Sequence, residues 1–263
     1  MIVPAIHPSD PGDRPHVEFR GWTVKLRGRE QLRWVDFDIP KGRIVALVGP
    51  TGSGKSALIS SINRMLALEP DFEHSGQVLL AGDPVWGREV DDLLVRRRTG
   101  TVFRDGTPLP GSVWENVAFP LRLDGERRSG VLDAAVESAL RSVSAWEMLR
   151  DRLHRSAASL PAGPRQLVNL ARAVVGSPEI LLLDEPCGDL DPVSTEMVEQ
   201  ALVDLSGSRT VVLSTHNLAQ ASRLPHRVAF FLEGHLEEYG PTDRMFQRPI
   251  RRSTEDYLSG RFG

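Results

Sequence analysis

The stretch Gly49-Pro50-Thr51-Gly52-Ser53-Gly54-Lys55-Ser56 decides the fold of this chain. It satisfies the spacing G-x-x-x-x-G-K-[ST] in full, with an apolar run at 44–48 before it and a helix-like stretch at 57–68 after it. Strand, glycine-rich loop and helix in this order favour phosphate binding, because glycines let backbone N–H groups surround an anion and the helix N-terminus adds positive charge. We therefore predict that the chain binds a nucleoside triphosphate.

The individual residues of this phosphate loop (residues 49–56) have separate predicted roles. Lys55 is expected to reach the β- and γ-phosphates of ATP, and the Ser56 hydroxyl to bind Mg²⁺. A glycine-rich turn with a chance lysine is the alternative, and the flanking strand and helix patterns argue against it. The predicted nucleotide-binding residues here are Gly49, Pro50, Thr51, Gly52, Ser53, Gly54, Lys55, Ser56 and Ala57.

Composition narrows the class of protein. The chain has 263 residues, 40% of them hydrophobic, which suits one large domain with a subdomain. Its formal charge of −3 gives no overall field that attracts nucleic acid, so we expect no nucleic-acid partner. No apolar run approaches the roughly 18 residues of a membrane span. We expect a flexible tail over residues 1–16 and an ATP-binding domain over 17–263.

The order of patterns along the chain predicts an α/β fold. Residues 17–39 alternate in polarity, as in an antiparallel sheet, and residues 88–159 are mostly helical in pattern. Continuous apolar runs at 180–183 and 210–214 flank a helical pattern, which indicates buried parallel strands. We predict a phosphate-loop NTPase core with a mostly parallel sheet, an antiparallel β subdomain and a helical subdomain at about 88–159.

Three polar side chains follow those buried strands. Asp184 and Glu185 end the first run, where ligands bind in such sheets, so Asp184 is a candidate Mg²⁺ ligand and Glu185 a candidate for orienting the attacking water. His216 follows the second run and is a candidate sensor of the γ-phosphate. A solvated strand end and a structural histidine are the alternatives.

These motifs in this order resemble the nucleotide-binding subunits of ABC transporters, from about Val17 onward. The resemblance implies ATP hydrolysis, with Glu185 and His216 as catalytic residues and Ser56 and Asp184 holding the metal. It implies pairing with a second ABC ATPase subunit, so that Gly163 and Asp191 contact the nucleotide across the pair. It also implies transmembrane permease subunits as partners and a cytoplasmic position on the inner face of the cell membrane.

A narrower resemblance links the chain to the ATPase of phosphate importers. Segments of this chain at five places carry it, and the last is the most specific because nucleotide chemistry does not require it. These segments are residues 62–65, 113–119, 215–217, 230–234 and 254–263.

The chain departs from the family pattern at three places. The signature loop L-S-G-G-Q reads Leu-Pro-Ala-Gly-Pro at 160–164, and prolines lack the N–H that could bind a phosphate. Arg104 replaces a glutamine that contacts the metal, and an arginine cannot ligate a cation; it would pair with a phosphate or a carboxylate such as Asp184. Leu26 falls where an aromatic ring usually stacks on adenine.

Two functions follow from these departures. One is the ATPase subunit of a phosphate-type importer with slow turnover. The other is a weakly hydrolysing, regulatory partner of an ordinary ABC ATPase subunit. A DNA-repair ATPase and a small-molecule kinase are less well supported, because the chain has no long coiled-coil insertion and a kinase would not explain residues 160–191.

Overall fold

The computed structural model describes residues 5–6, 14–104 and 106–261. Its strands are listed here in chain order: β1 (Ala5–Ile6), β2 (Pro15–Leu26), β3 (Arg29–Pro40), β4 (Ile44–Val48), β5 (Phe72–Leu80), β6 (Asp83–Pro84), β7 (Thr99–Val102), β8 (Ile180–Asp184), β9 (Thr210–Ser214), β10 (Arg227–Leu232) and β11 (His235–Pro241). The α-helices are α1 (Lys55–Ile62), α2 (Asp92–Arg98), α3 (Val113–Leu123), α4 (Ser129–Ser142), α5 (Trp146–Leu149), α6 (Ala162–Val174), α7 (Pro192–Leu205), α8 (Leu218–Arg223), α9 (Thr242–Gln247) and α10 (Arg252–Leu258).

The chain divides into two compact units, one of residues 1–96 with 210–263 and one of residues 97–209. In the first unit, β4 lies between β9 and β10 and is parallel to both. Strands β10 and β11 form an antiparallel hairpin in the same unit. Every residue of β4 and β9 is buried, which explains why their sequences are mostly apolar. The phosphate loop therefore follows a central strand of this unit.

An antiparallel sheet in the order β3-β2-β5-β6 completes the first unit and confirms the predicted antiparallel region. The alternation of buried and exposed residues in β2 shifts at a bulge around Gly21, which has a φ of 57°. Phe19 on β2 stacks on Phe37 of β3 with ring centroids 5.3 Å apart. This pairing buries one face of the sheet.

The second unit joins two parallel strands, β7 and β8, to helices α3 to α7. Helix α4 buries Val136, Ala139 and Leu140 as its pattern predicts, whereas Val131 is 41% exposed. Helix α3 begins with a capping box between Ser112 and Glu115, which satisfies the first N–H groups of the helix.

The sequence patterns missed strand β7, which lies inside the region predicted to be mostly helical. Its sequence Thr-Gly-Thr-Val has no apolar run and holds a glycine. A side chain at Gly100 would collide with the carbonyl oxygen of Ala173, so packing requires this glycine although strand propensity disfavours it. The compact unit also extends well beyond the predicted subdomain boundary at residue 159, to residue 209.

The N-terminal residues differ in part from the predicted flexible tail. Ala5 and Ile6 pair in parallel with Glu238 and Tyr239 of β11, and β2 begins at Pro15 instead of residue 17. The remainder of the predicted tail, residues 1–4 and 7–13, lies outside the described residues. Among the described helices, none has the length and apolar character needed to cross a membrane.

Candidate functional site

The phosphate loop connects β4 to α1 through three glycines with positive φ, namely Gly49, Gly52 and Gly54. A side chain at Gly49 would collide with the carbonyl oxygen of Phe231, and one at Gly54 would lie 2.7 Å from the carbonyl oxygen of Gln31. The space around Gly52 is open, so its φ of 79° is what favours glycine there. The loop therefore needs glycine both for its shape and for its close packing on neighbouring backbone.

Lys55 lies inside the curve of this loop. Its Nζ donates hydrogen bonds to the carbonyl oxygens of Gly49 at 2.8 Å and Pro50 at 2.9 Å, and its side chain is buried. These two hydrogen bonds hold the ammonium group against the first two residues of the loop. Ser56, the second residue of α1, is exposed, so its hydroxyl is accessible to a cation. The enclosed Lys55 ammonium group and the N-terminus of α1 suit a triphosphate, and the accessible Ser56 hydroxyl suits its magnesium ion.

His216 lies at the same edge of the first unit's sheet as the phosphate loop. Strand β9 pairs in parallel with β4, Leu47 being the partner of Ser214, and the N–H of Thr215 donates to the carbonyl oxygen of Leu47 at 3.1 Å. The next turn is rigid, because Asn217 caps α8 by accepting a hydrogen bond from Gln220. The structure therefore brings together two of the predicted elements, and the His216 side chain is exposed there.

The second unit holds the two candidate carboxylates at the end of β8. Asp184 is the last strand residue, and Glu185 follows with a φ of 50°, in the left-handed region that is strained for a residue with a side chain. Arg104 Nη1 lies 2.9 Å from Glu185 Oε2, and the Glu185 side chain is only 18% exposed. Arg104 thus pairs with Glu185, and not with Asp184 as the sequence suggested. A longer contact of 3.7 Å joins Arg104 to Asp189.

Asp191 has a structural role in the second unit. It is the N-cap of α7, where its carboxylate accepts hydrogen bonds from the N–H groups of Val193 and Ser194 at 3.0 Å each and from the Ser194 hydroxyl at 2.6 Å. The Ser194 hydroxyl, more than any other group, lowers the pKa of Asp191 below its ordinary value. Pro192 at the first helical position is equally suited to this helix start.

The altered signature segment, residues 160–164, forms the start of α6. This helix begins at Ala162, and its N-cap Pro161 makes no side-chain capping bond. Pro164 lies in the first turn, so two positions here lack an N–H donor. Gly163 is buried, and a side chain there would lie 2.6 Å from Ser194 Oγ. Packing against the start of α7 therefore explains why this glycine is needed.

The aromatic side chains of β2 and β3 differ in their exposure, and hence in whether they are available to stack on a nucleotide base. Trp22 is fully buried, and its Nε1 donates to Ser61 Oγ at 2.8 Å, so its ring is not available to a ligand. Trp34 is 52% exposed and its ring packs on Gly21. Leu26 ends β2 beside Phe72 of β5.

Sequence reasoning missed one residue that contacts the phosphate loop. The N–H of Gly49 donates to the hydroxyl of Tyr257, in the last helix, at 3.1 Å. No spacing rule connects residues 208 positions apart, and the resemblance of the C-terminal segment to phosphate-importer ATPases was the only signal in the sequence.

Comparison with known proteins identifies the family of this chain. The family model described as ABC transporter matches residues 32–188. The chain belongs to the ABC transporter family. Similar proteins include the phosphate import ATP-binding protein PstB 1 of Streptococcus pyogenes serotype M3 (strain ATCC BAA-595 / MGAS315), 43% identical over 249 residues, which are 95% of this chain and 99% of that protein. The PstB 1 of serotype M12 (strain MGAS9429) is also 43% identical, over 94% of this chain and 98% of its own length.

Two solved structures share the fold of this ABC protein. CbiO1 from Clostridium perfringens, part of the ABC transporter complex cbiONQ, matches with a TM-score of 0.78 and 22% identity over 92% of this chain and 95% of its own. A bacterial Atm1-family ABC exporter with ATP bound matches with a TM-score of 0.77 and 23% identity, over 99% of this chain and 43% of that chain. The predicted α/β phosphate-loop NTPase fold is confirmed.

Proposed function

We propose that this ABC ATP-binding subunit serves a phosphate importer. In this role it couples ATP binding and hydrolysis to transmembrane permease subunits at the cytoplasmic face of the membrane, together with a second ABC ATPase subunit. The observation that supports the cargo is the 43% identity to PstB 1, which extends over nearly the full length of both chains. The intact phosphate loop supports the ATP-dependent part of the role.

The residues described above are assigned to this reaction as follows. Lys55 and the loop N–H groups bind the triphosphate, and Ser56 and Asp184 hold Mg²⁺, which neutralises phosphate charge when bound. Glu185 accepts a hydrogen bond from the attacking water and orients it, while His216 responds to the γ-phosphate. Gly163 and Asp191 are assigned to the contact with a second subunit's nucleotide, in addition to the packing and capping that they provide within this chain.

The Arg104–Glu185 ion pair supports slow turnover by this subunit. In this role Glu185 accepts a hydrogen bond from water, but the Arg104 guanidinium forms an ion pair with one of its carboxylate oxygens at 2.9 Å, with the Glu185 side chain 18% exposed and that of Arg104 50% exposed. Loss of one preorganised catalytic contact costs about 10²–10³ in rate in well-studied enzymes. We therefore assign a resting state with Glu185 held by Arg104.

The second candidate function is a regulatory or degenerate partner of an ordinary ABC ATPase subunit. Pro161 and Pro164 support it, because without their N–H groups the start of α6 offers fewer donors to an anion than a serine- and glycine-containing loop. In such a pair the altered segment weakens the partner's site, whereas this chain's phosphate loop retains its own nucleotide.

The test combines Mg–ATP affinity by calorimetry with steady-state phosphate release on one purified sample. We expect binding with slow release, and Arg104→Gln should raise release at least about tenfold because it frees Glu185. The matched control is Arg97→Gln, which breaks an exposed ion pair with Asp124 in the same unit and should leave release unchanged.

Fast release by the unaltered chain, with no gain in Arg104→Gln, would contradict the proposed effect of the ion pair. Absent release in both, with ATP affinity retained, would favour the regulatory partner. Absent ATP binding would contradict both functions.

A further inference from the structure

The C-terminal segment of the chain returns to the phosphate loop within the first unit. Tyr257, in α10, accepts a hydrogen bond from the backbone N–H of Gly49 at 3.1 Å. Gly49 is the first residue of the loop and has a φ of 145°, a conformation that only glycine adopts easily. A residue outside every nucleotide-binding motif therefore fixes one of the loop's backbone groups.

The ring of Tyr257 also makes a defined contact. It stacks on Phe230 with centroids 4.8 Å apart and an interplanar angle of 22°. Phe230 is fully buried in β10 and is the parallel partner of Val48, the residue that precedes the loop. Tyr257 thus packs on β10, the strand that pairs with β4 immediately before the loop.

Buried contacts fix the start of α10 and hence the position of Tyr257. The carboxylate of Glu238, which is fully buried, accepts hydrogen bonds from the N–H groups of Ile250 at 2.9 Å and Arg251 at 3.0 Å. Ser253 Oγ donates to Glu237 at 2.9 Å, and Thr254 is fully buried. Separating a buried carboxylate from its backbone donors costs free energy, so these contacts hold the segment at one position on β11.

We propose that Tyr257 is a positioning residue that holds the phosphate loop in the conformation that binds ATP. Glycine has more conformational freedom than any other residue, and a ligand that must order a free loop loses affinity. The Tyr257 hydroxyl removes that freedom at Gly49 before the nucleotide arrives. This inference rests on the proposed role of residues 49–56, and it gives the C-terminal segment a function in nucleotide affinity.

Tyr257→Phe tests the proposal, because it removes the hydroxyl and keeps the ring on Phe230. We expect the Kd for Mg–ATP and the KM to rise about three- to tenfold, the factor that corresponds to one net hydrogen bond, with kcat unchanged. The unfolding temperature without nucleotide should match that of the control variant. That control is Tyr239→Phe, the chain's other tyrosine, which is buried against Arg227 and Phe37 and should leave the Kd unchanged.

Hydrogen exchange gives a second readout that a purely structural role would not change. Because coupling between two sites is reciprocal, Mg–ATP should slow exchange of the amides at 250–258 in the unaltered chain and do so less in Tyr257→Phe. Equal slowing in both proteins would overturn the proposal.

The affinity measurements can also overturn it. An unchanged Kd in Tyr257→Phe would do so, as would an equal loss of affinity in Tyr239→Phe, which would indicate a general loss of stability. Lys55→Ala, measured alongside, separates the two possible failures. Lost affinity in Lys55→Ala with none in Tyr257→Phe overturns only the role of the tyrosine, whereas unchanged affinity in both overturns the role of the loop and this proposal with it.

Discussion

The phosphate loop at 49–56 and the altered signature segment at 160–164 both include the first residues of a helix, but only the phosphate loop keeps its family motif. The phosphate loop keeps every residue of its motif, and neighbouring backbone leaves no room for a side chain at Gly49 or Gly54. The signature segment has two prolines without an N–H, and its one glycine is explained by packing on Ser194. Anion-binding geometry is thus retained in one region and reduced in the other.

We propose that this difference separates ATP binding from turnover in this chain. Contacts that hold ATP in the ground state affect affinity, whereas contacts made only in the transition state affect rate. In this proposal the intact loop belongs to the first group. Arg104, through its ion pair with Glu185, and the prolines at the start of α6 belong to the second.

The largest expected effect comes from restoring the altered region. Arg104→Gln combined with Pro161→Ser and Ala162→Gly should raise steady-state phosphate release about 10²–10³-fold, because the change frees Glu185 and returns donors to the start of α6. ATP affinity should change far less. The measurement is kcat and Kd on the triple variant beside each single variant, and a triple variant as slow as the unaltered chain would contradict our explanation of the departures.

The next effect concerns the intact region. Lys55→Ala should weaken Mg–ATP binding about 10- to 100-fold, since a charge-assisted hydrogen bond to phosphate is lost. Lys41→Ala is the control, because Lys41 is exposed and lies outside the loop. If calorimetry gave both variants the affinity of the unaltered chain, the claim that the phosphate loop binds ATP would be contradicted.

A smaller effect separates packing from ligand binding at Gly163. Gly163→Ala should destabilise the protein by about 1–3 kcal/mol, because the added Cβ would lie 2.6 Å from Ser194 Oγ. Gly130 occupies the same second helical position in α4 with open space around it, so Gly130→Ala should leave stability unchanged or slightly raised. Denaturant unfolding of the two variants decides the point, and equal stability would show that packing does not require glycine at 163.

The smallest effect is a pH dependence at the start of α7. Because the pKa of Asp191 is lowered in the folded protein, its contribution to stability is complete above its ordinary pKa of 3.8 and is lost as the pH falls through the lowered value. Asp191→Asn keeps a good cap without a titrating charge. Its unfolding temperature should therefore fall less than that of the unaltered chain between pH 5 and pH 3, and parallel curves would contradict the assignment.

Long, strongly patterned elements were predictable from the sequence, and short or packing-dependent ones were not. The strands at 44–48, 180–184 and 210–214 are mostly apolar because both faces of a parallel sheet are covered. Strand β7 was missed because Gly100 is selected by contact with Ala173, a residue far away in the chain. The pairing of Ala5 and Ile6 with β11 was missed for a similar reason, since two residues carry no periodicity.

The candidate site shows the same division. Motif spacing predicted roles for five residues, because phosphate and metal chemistry require those residue types after a strand; these are Lys55, Ser56, Asp184, Glu185 and His216. The spacing did not give the partner of Arg104, for which the sequence suggested Asp184 and the structure shows Glu185. Which of two adjacent carboxylates meets a guanidinium depends on backbone torsion, here the left-handed Glu185.

The sequence by itself determined the fold class, the phosphate loop and the ABC family, because local spacing of glycines, charges and apolar runs encodes them. Only the tertiary structure decided that Arg104 occupies Glu185, that Gly163 packs on Ser194 and that Tyr257 binds Gly49. Each of these contacts joins residues distant in the chain. A hydrogen bond or ion pair forms only when two atoms are placed to within a few tenths of an ångström, and no sequence spacing specifies such a position.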